Sequence, residues 1–288
     1  MRTDLLPPRF AVVDVVARSL AEDLTPLGDL TAGLLPGDLS ASAAFVARSP
    51  GVVAGGTCAT ETFAQLDPSV TVRWVRTDGE AVIAGEVLGR VEGPLASVLT
   101  GERTALNLLG HLSGIATRTA AYVDAVAGSG TRIWDTRKTT PGLRSLEKAA
   151  VRAGGGANHR GNLSEWVMLK DNHLAHLGIT GAVRAAAERW PGRTVHVECD
   201  RLDQVREATE AGAGALLLDN MAPEEVRAAV AAVDDVVGGG RRPLVEVSGE
   251  VSLATVASYA GPGVDCISVG EITKAAGVLD IGLDVADG

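Results

Sequence analysis

In the second half of the chain, short apolar runs alternate with longer stretches of helical periodicity. The runs are RIWDTRK (132–138), WVMLKDN (166–172), TVHVECD (194–200), ALLLDNM (215–221), PLVEVSG (243–249) and CISVGEI (266–272). Each ends in a polar or charged cluster. Between them lie PGLRSLEKAAVRAG, ITGAVRAAAERW, RLDQVREATEAG, APEEVRAAVAAVDDVV and SLATVASYAG. Several of these close on Gly, a frequent residue at helix C-termini. Strand and helix repeated in this order predict a parallel sheet. Chemistry gathered at the C-terminal ends of the strands predicts a (β/α) barrel, where active sites occupy that end.

The first half reads differently. Residues 8–24 predict an amphipathic helix carrying Ala11, Val12, Val15, Val16, Ala17 and Leu20 on its apolar side. Residues 41–100 are expected to be β-rich and punctuated by glycine, with strands in ASAAFVARSPGVVAGG, VTVRWVRTDGEAV and EVLGRVEG and a turn at Asp78-Gly79. SVLTGERTALNLLGHLSGIATRTAAYVDAV (97–126) predicts a long helix interrupted near Ser113-Gly114. The domain boundary is placed at that interruption. The expectation is an N-terminal domain over 1–113 and a barrel over 114–272.

Composition narrows the function. The 288 residues suffice for a large barrel or two modest domains. Aromatics make up only 3% and the net charge is −10, which disfavour base-stacking platforms and binding to a phosphate backbone. The cysteines are Cys58, Cys199 and Cys266, without a CxxC pair, and are expected to be buried thiols in a reducing compartment. The N-terminal stretch has no charge-free apolar segment, and no run approaches the ~18 residues of a membrane span. A cytoplasmic, soluble protein is expected.

Charge then singles out one window. The chain has 26 Lys+Arg against 36 Asp+Glu, yet residues 135–173 hold seven Lys or Arg and only four acids. A cationic cluster in an anionic protein suits a small anion, because Arg and Lys bind carboxylate and phosphate through charge-assisted hydrogen bonds.

In DTRKT, Arg137 and Lys138 follow an apolar strand, where surface salt bridges are the plainer alternative. In GGGANHR, the three glycines mark a close backbone approach, and His159 and Arg160 add a ring and a guanidinium fork. They do not form a dinucleotide fingerprint. In KDNH, Lys170 and Asp171 end a strand before His173, and zinc-ligand spacing is absent. Glu198 and Asp219 stand at the tips of apolar runs, where an acid must be paired or exposed. They suit sugar hydroxyls, Mg²⁺ or a developing positive charge, and helix capping is the alternative for Asp219-Asn220 and Asp200. Ser248-Gly249 and Gly270 follow the last two strands, where barrel loops often bind phosphate. Arg103, in GERTALN, is read as lying near a helix N-terminus, a mildly unfavourable place for a cation. That makes it a ligand candidate, or an ion-pair partner of Glu102 or Asp135.

Taken together, EDLTPLGDLT, GERTALNLL, DTRKTTPGLR, GGGANHR, KDNH, LLDNM, SVGEIT and LDIGLD resemble the quinolinate phosphoribosyltransferases over essentially the whole chain. The resemblance implies an α/β fold: an N-terminal α/β sandwich domain, completed by about 273–288, and an open (β/α) barrel. It implies phosphoribosyl transfer from phosphoribosyl diphosphate to quinolinate with decarboxylation. It places Arg103, Arg137, His159 and Arg160 on the quinolinate carboxylates, with Thr136 also in the substrate site. Lys138 and Lys170 fall near the diphosphate and the reacting centre. Glu198 and Asp219 fall on the ribose and the Mg²⁺ region, and Ser248, Gly249 and Gly270 on the 5′-phosphate. Lys138, Lys170, Glu198 and Asp219 are thereby the catalytic set. A homodimer, or a hexamer of dimers, is implied, with Arg103 donated across the interface.

The chain departs from the pattern at Lys274, Gly161-Asn162 and Ala150. A related protein associated with molybdenum transport and a non-catalytic anion-binding barrel are the rival readings. The complete TRK and NHR sets oppose the first, and Glu198 and Asp219 oppose the second.

Overall fold

The computed structural model describes residues 3–286. The chain runs α1 (Arg9–Leu24), β1 (Ser40–Ala47), β2 (Gly51–Val52), α2 (Gly56–Leu66), β3 (Thr71–Trp74), β4 (Ala81–Val82), β5 (Val87–Pro94) and α3 (Leu95–Ala125). It continues through β6 (Arg132–Trp134), α4 (Arg144–Ala153), β7 (Val167–Leu169), α5 (Asp171–Leu177), α6 (Ile179–Arg189), β8 (Val195–Cys199) and α7 (Leu202–Glu210). The remainder is β9 (Ala215–Asp219), α8 (Pro223–Val237), β10 (Leu244–Ser248), α9 (Val256–Tyr259), β11 (Cys266–Ser268), α10 (Glu271–Lys274) and β12 (Ile281–Val285). Two compact units result. One holds the residues up to Ala120, Lys138–Gly156 and those from Ile272 onward; the other holds Ala121–Arg137 and Ala157–Glu271.

The first unit is built on an antiparallel sheet of order β12-β1-β5-β3. Its core includes Phe45, Phe63, Leu88, Val91, Leu109 and Ile281. Phe45 stacks on Trp74 with ring centroids 5.1 Å apart and meets Phe63 edge-on at 6.4 Å. Gly89 is the register partner of both Phe45 and Trp74. A Cβ there would lie 2.8 Å from the Trp74 ring, so glycine makes room for the stack.

Three local expectations meet the structure here. The Asp78-Gly79 turn forms, with Gly79 at φ +93° and the Glu80 N–H donating to the Thr77 carbonyl at 3.1 Å. The stretch 41–100 is β-rich, with β1 to β5, and also holds one helix, Gly56–Leu66. Threonines favour strands in isolation, but in this helix Thr60 and Thr62 donate their hydroxyls back to the carbonyls of Gly56 and Cys58. The Asp78 carboxylate accepts the N–H groups of Gly55 and Gly56 and so secures the helix start.

The expected interruption near Ser113-Gly114 is corrected, since α3 is continuous over 31 residues. Ser113 exchanges two 3.0 Å hydrogen bonds with the backbone of Ala54, and Gly114 lets the backbone of Gly277 lie against the helix. These residues are small for packing. The expected boundary at 113/114 therefore lies inside a helix.

The second unit is an open (β/α) barrel. All six apolar runs are strands, parallel and in the order β6-β11-β10-β9-β8-β7. The intervening helices form as read, except that SLATVASYAG yields only the four-residue α9. Alternation sends Val197, Leu216, Leu218, Val245 and Val247 to one face, all essentially buried. The other face carries polar rows. Glu198 and Glu246 are both register partners of Leu217, and Asp219 pairs with Ser248 one layer further along. The three cysteines are buried and unbridged. Burial pushes the Cys58 and Cys199 thiols up to about 12.

Phe45→Ala should cost about 3–5 kcal/mol, since a buried aromatic leaves a cavity and loses its stack on Trp74. Denaturant titration checks this; a loss near zero would remove the Phe45–Trp74–Phe63 group as the centre of this core.

Candidate active site

At the end of β6 the chain must join a distant segment. Asp135 is fully buried, and its carboxylate accepts the His159 backbone N–H at 2.8 Å and the Asn158 side-chain amide at 2.7 Å. Backbone bonds between Ile133 and Ala157, and between Asp135 and Ala157, extend the join. The TRK and NHR segments are thus held side by side. Sequence reasoning offered Asp135 as a partner for Arg103; the structure gives its carboxylate to the NHR loop.

The glycines of GGGANHR act just upstream, within the first unit. Gly154 lies against the Ala116 carbonyl of α3, and a Cβ on Gly156 would meet Thr119 at 2.7 Å. Gly155 has φ +84°. The close approach expected of this run is an approach to α3.

Arg160 is buried, with Nη1 donating to the Trp166 carbonyl at 3.3 Å. Burial, and then the neighbouring charge of Arg137, hold its guanidinium below its ordinary range. Two cations brought together in a partly dehydrated place favour an anion beside them. His159 points Nε2 at Glu246 Oε2, 3.2 Å away. His159, His196 and Glu246 are all buried, and Trp134 and Trp166 flank them.

On the neighbouring strands Lys170 forms an ion pair with Glu198. His173 accepts the Lys170 backbone N–H at 3.2 Å through Nδ1, so it serves the start of α5. Asn220, at φ +55°, donates to the Asp219 carboxylate at 3.0 Å and accepts the Glu250 N–H at 3.2 Å. It thereby links the ends of β9 and β10. Gly249 has φ +126°, and a Cβ would strike the Asn220 side chain. Here glycine is required on both counts.

Arg137, Lys170, Glu198, Asp219, Ser248, Gly249 and Gly270 belong to the barrel unit, at or beyond the C-terminal ends of their strands, as does half-buried Thr136; His159 and Arg160 belong to it too, in the segment between α4 and β7. Arg103 and Lys138 belong to the first unit and are exposed. The reason given for Arg103 does not hold: α3 begins at Leu95, and the dipole fades within the first turn. The Lys138 carbonyl accepts the Thr273 hydroxyl at 2.8 Å, next to Lys274 at the end of α10. Gly161 and Asn162 both donate to Glu165, and Ala150 is buried in α4.

Three residues escaped the sequence reading: Asp135 as a clasp, Glu246 and His196. The last two carried a visible signal, a polar residue inside an apolar strand, which was applied only to Glu198 and Asp219.

Two donor sets bear on metals. The ligand atoms of His159, His196 and Glu246 lie within 4.8 Å of one another, but two of them are already joined by the 3.2 Å contact. Glu198 and Asp219 offer carboxylate oxygens at strand ends. That donor type fits Mg²⁺, which uses one or two carboxylates together with substrate phosphates.

Asp135→Ala should strand the His159 N–H and the Asn158 amide, costing about 1–3 kcal/mol per buried donor. Urea titration reads the loss; a variant as stable as the parent would rule out the clasp.

Comparison with known proteins follows the two halves of the chain. Residues 29–113 match the N-terminal domain of quinolinate phosphoribosyl transferase, and residues 115–284 match its C-terminal domain. A Mycobacterium leprae nicotinate-nucleotide pyrophosphorylase [carboxylating] is 41% identical, over 96% of this chain and 97% of its own. The human protein of the same name is 39% identical, over 97% and 93%. The structure of nicotinate-nucleotide pyrophosphorylase from Francisella tularensis superposes with a TM-score of 0.90 at 37% identity, covering 97% of each chain.

Proposed function

The chain belongs to the quinolinate phosphoribosyltransferase family, and from that premise we propose how its residues divide the work. The enzyme joins quinolinate to phosphoribosyl diphosphate and gives nicotinate mononucleotide, diphosphate and CO₂, a step of NAD biosynthesis. The observation that carries the residue assignment is the Asp135 clasp, which holds the NHR loop beside the TRK segment and so brings buried Arg160 near Arg137.

Arg137, Arg160 and His159 hold the quinolinate carboxylates, with Thr136 beside them and Arg103 completing the set from a second copy of the chain. Lys170 and Lys138 stand toward the diphosphate. Glu198 and Asp219 face the ribose, and Ser248, Gly249 and Gly270 take the 5′-phosphate. Mg²⁺, when bound with the diphosphate, supplies charge neutralisation for the leaving group, and Glu198 and Asp219 would hold it.

The pyridine nitrogen lone pair forms the new bond to the anomeric carbon as the carbon–oxygen bond to diphosphate breaks. Positive charge develops on the sugar, and the carboxylates of Glu198 and Asp219 stabilise it. Lys170 is ion-paired with Glu198 before substrate arrives, so an incoming phosphate can draw the ammonium and leave the carboxylate to the ribose. Nitrogen then carries the ribosyl group and the ring is cationic. It accepts the electron pair released when the adjacent carboxylate leaves as CO₂, and a proton fills the vacated carbon. The protein's contribution is positioning and charge complementarity.

The same reading makes the enzyme cytoplasmic and a homodimer or hexamer of dimers. Among the described residues no helix is long and apolar enough to cross a membrane. Phe10, Leu27, Leu30 and Leu34 are exposed on α1 and the segment after it, which supports association through the first unit.

Incubating the protein with quinolinate, phosphoribosyl diphosphate and Mg²⁺ should release CO₂ and nicotinate mononucleotide. Arg137→Ala or Arg160→Ala should weaken quinolinate recognition by about 2–5 kcal/mol, seen as a raised KM for quinolinate in a folded protein. Unchanged kinetics in both would remove the pair from the site. Glu198→Ala should lower kcat more than it raises the quinolinate KM; the reverse pattern would make Glu198 a binding group only.

A further inference from the structure

Glu246 is a charge in the middle of an apolar strand. The strand reads LVEVS, and the Glu246 side chain is fully buried, level with Leu217 on one side and Cys266 on the other. A lone carboxylate in that setting is costly, and an apolar residue of similar volume would often be more stable. Stability alone therefore does not account for an acid here.

Its surroundings show what it serves. His159 Nε2 lies 3.2 Å from Oε2, within hydrogen-bond reach, while His196 Nδ1 lies 3.8 Å from the same oxygen, beyond it. Burial pushes His196 down to about 4, so that ring is neutral at neutral pH and does not answer the charge. The cationic or proton-donating neighbours of Glu246 are His159 and the guanidinium of Arg160, whose charge it favours. The Cys266 thiol faces it from β11, and its own proton affinity is raised by burial and by the Glu246 charge.

The walls around His159 are rigid. Trp166 stacks flat on His196 with centroids 4.8 Å apart and meets His159 edge-on, also at 4.8 Å. Trp134 meets His159 edge-on at 5.7 Å. The indole nitrogens of Trp134 and Trp166, His196 Nδ1 and Glu246 Oε1 are all buried without a hydrogen-bond partner.

We propose that Glu246 is a positioning residue for the dicarboxylate site: it accepts the Nε2–H of His159, and so fixes the rotation and tautomer in which that ring meets the substrate. The assignment rests on the reading of His159 as a quinolinate ligand. A carboxylate accepts but does not donate, so Nε2 carries the proton. Trp134, Trp166 and His196 pack edge-on against the ring. Behind His159 and Arg160, the negative charge of Glu246 stays out of reach of the substrate but balances the cations that bind it.

Glu246→Gln tests this because it keeps the volume and removes the charge. With the variant, the KM for quinolinate should rise roughly tenfold or more, the scale of a lost hydrogen bond to a charged group. The KM for phosphoribosyl diphosphate should stay within about twofold, and the melting temperature should hold or rise. Without substrates, ¹⁵N spectra of histidine-labelled protein, with the His159 ring assigned by its loss in His159→Gln, should show Nε2 protonated in the parent and an altered tautomer balance in Glu246→Gln. Equal rises in both KM values, a fall in melting temperature with quinolinate kinetics unchanged, or an unprotonated Nε2 in the parent would each overturn the proposal. A parent that does not turn over quinolinate would instead overturn the reading it rests on, while the spectra still report on the His159–Glu246 contact.

Discussion

The barrel site depends on one buried carboxylate. Asp135 has no exposed surface, and it spends its oxygens on the backbone of His159 and the amide of Asn158. Those two residues are 23 and 24 positions away in the chain. Without this bond the TRK and NHR segments would be two cationic loops with every electrostatic reason to part. With it, Arg137 and Arg160 are kept close enough to perturb one another.

The rest of the site repeats that division of charge. Cations sit on the β6 and NHR side, and the acids Glu198 and Asp219 stand at the ends of β8 and β9. Strand register sets the spacing, because Glu198 and Glu246 share a level while Asp219 and Ser248 stand one layer nearer the mouth. On the shared level Glu246 is fully buried and Glu198 is only partly so.

Much of this was legible in the sequence because periodicity speaks directly about strands. All six apolar runs form the parallel sheet. The failures have specific causes. Ser113-Gly114 looked like a break, but a small pair inside a helix also permits close packing, and sequence does not distinguish the two. The three glycines before Asn158 were correctly read as a close approach, though the partner, α3, was out of view. Arg103 was argued from a helix start that lies eight residues upstream. Glu246 and His196 were overlooked although each is a polar residue within an apolar run, the same signal that drew attention to Glu198.

The unbroken α3 bears on how such a protein can be taken apart. The helix supplies residues to both units, with Leu95–Ala120 on one side of the division and Ala121–Ala125 on the other. The two family domains meet at 113 and 115, within the same rod. Cutting there would expose unpaired amide and carbonyl groups at two raw helix ends and remove Ser113 from its hold on Ala54. Fragments or chimeras joined at that seam would begin with a broken spiral, so exchange of halves between relatives is better made in the loop that follows α3, before β6.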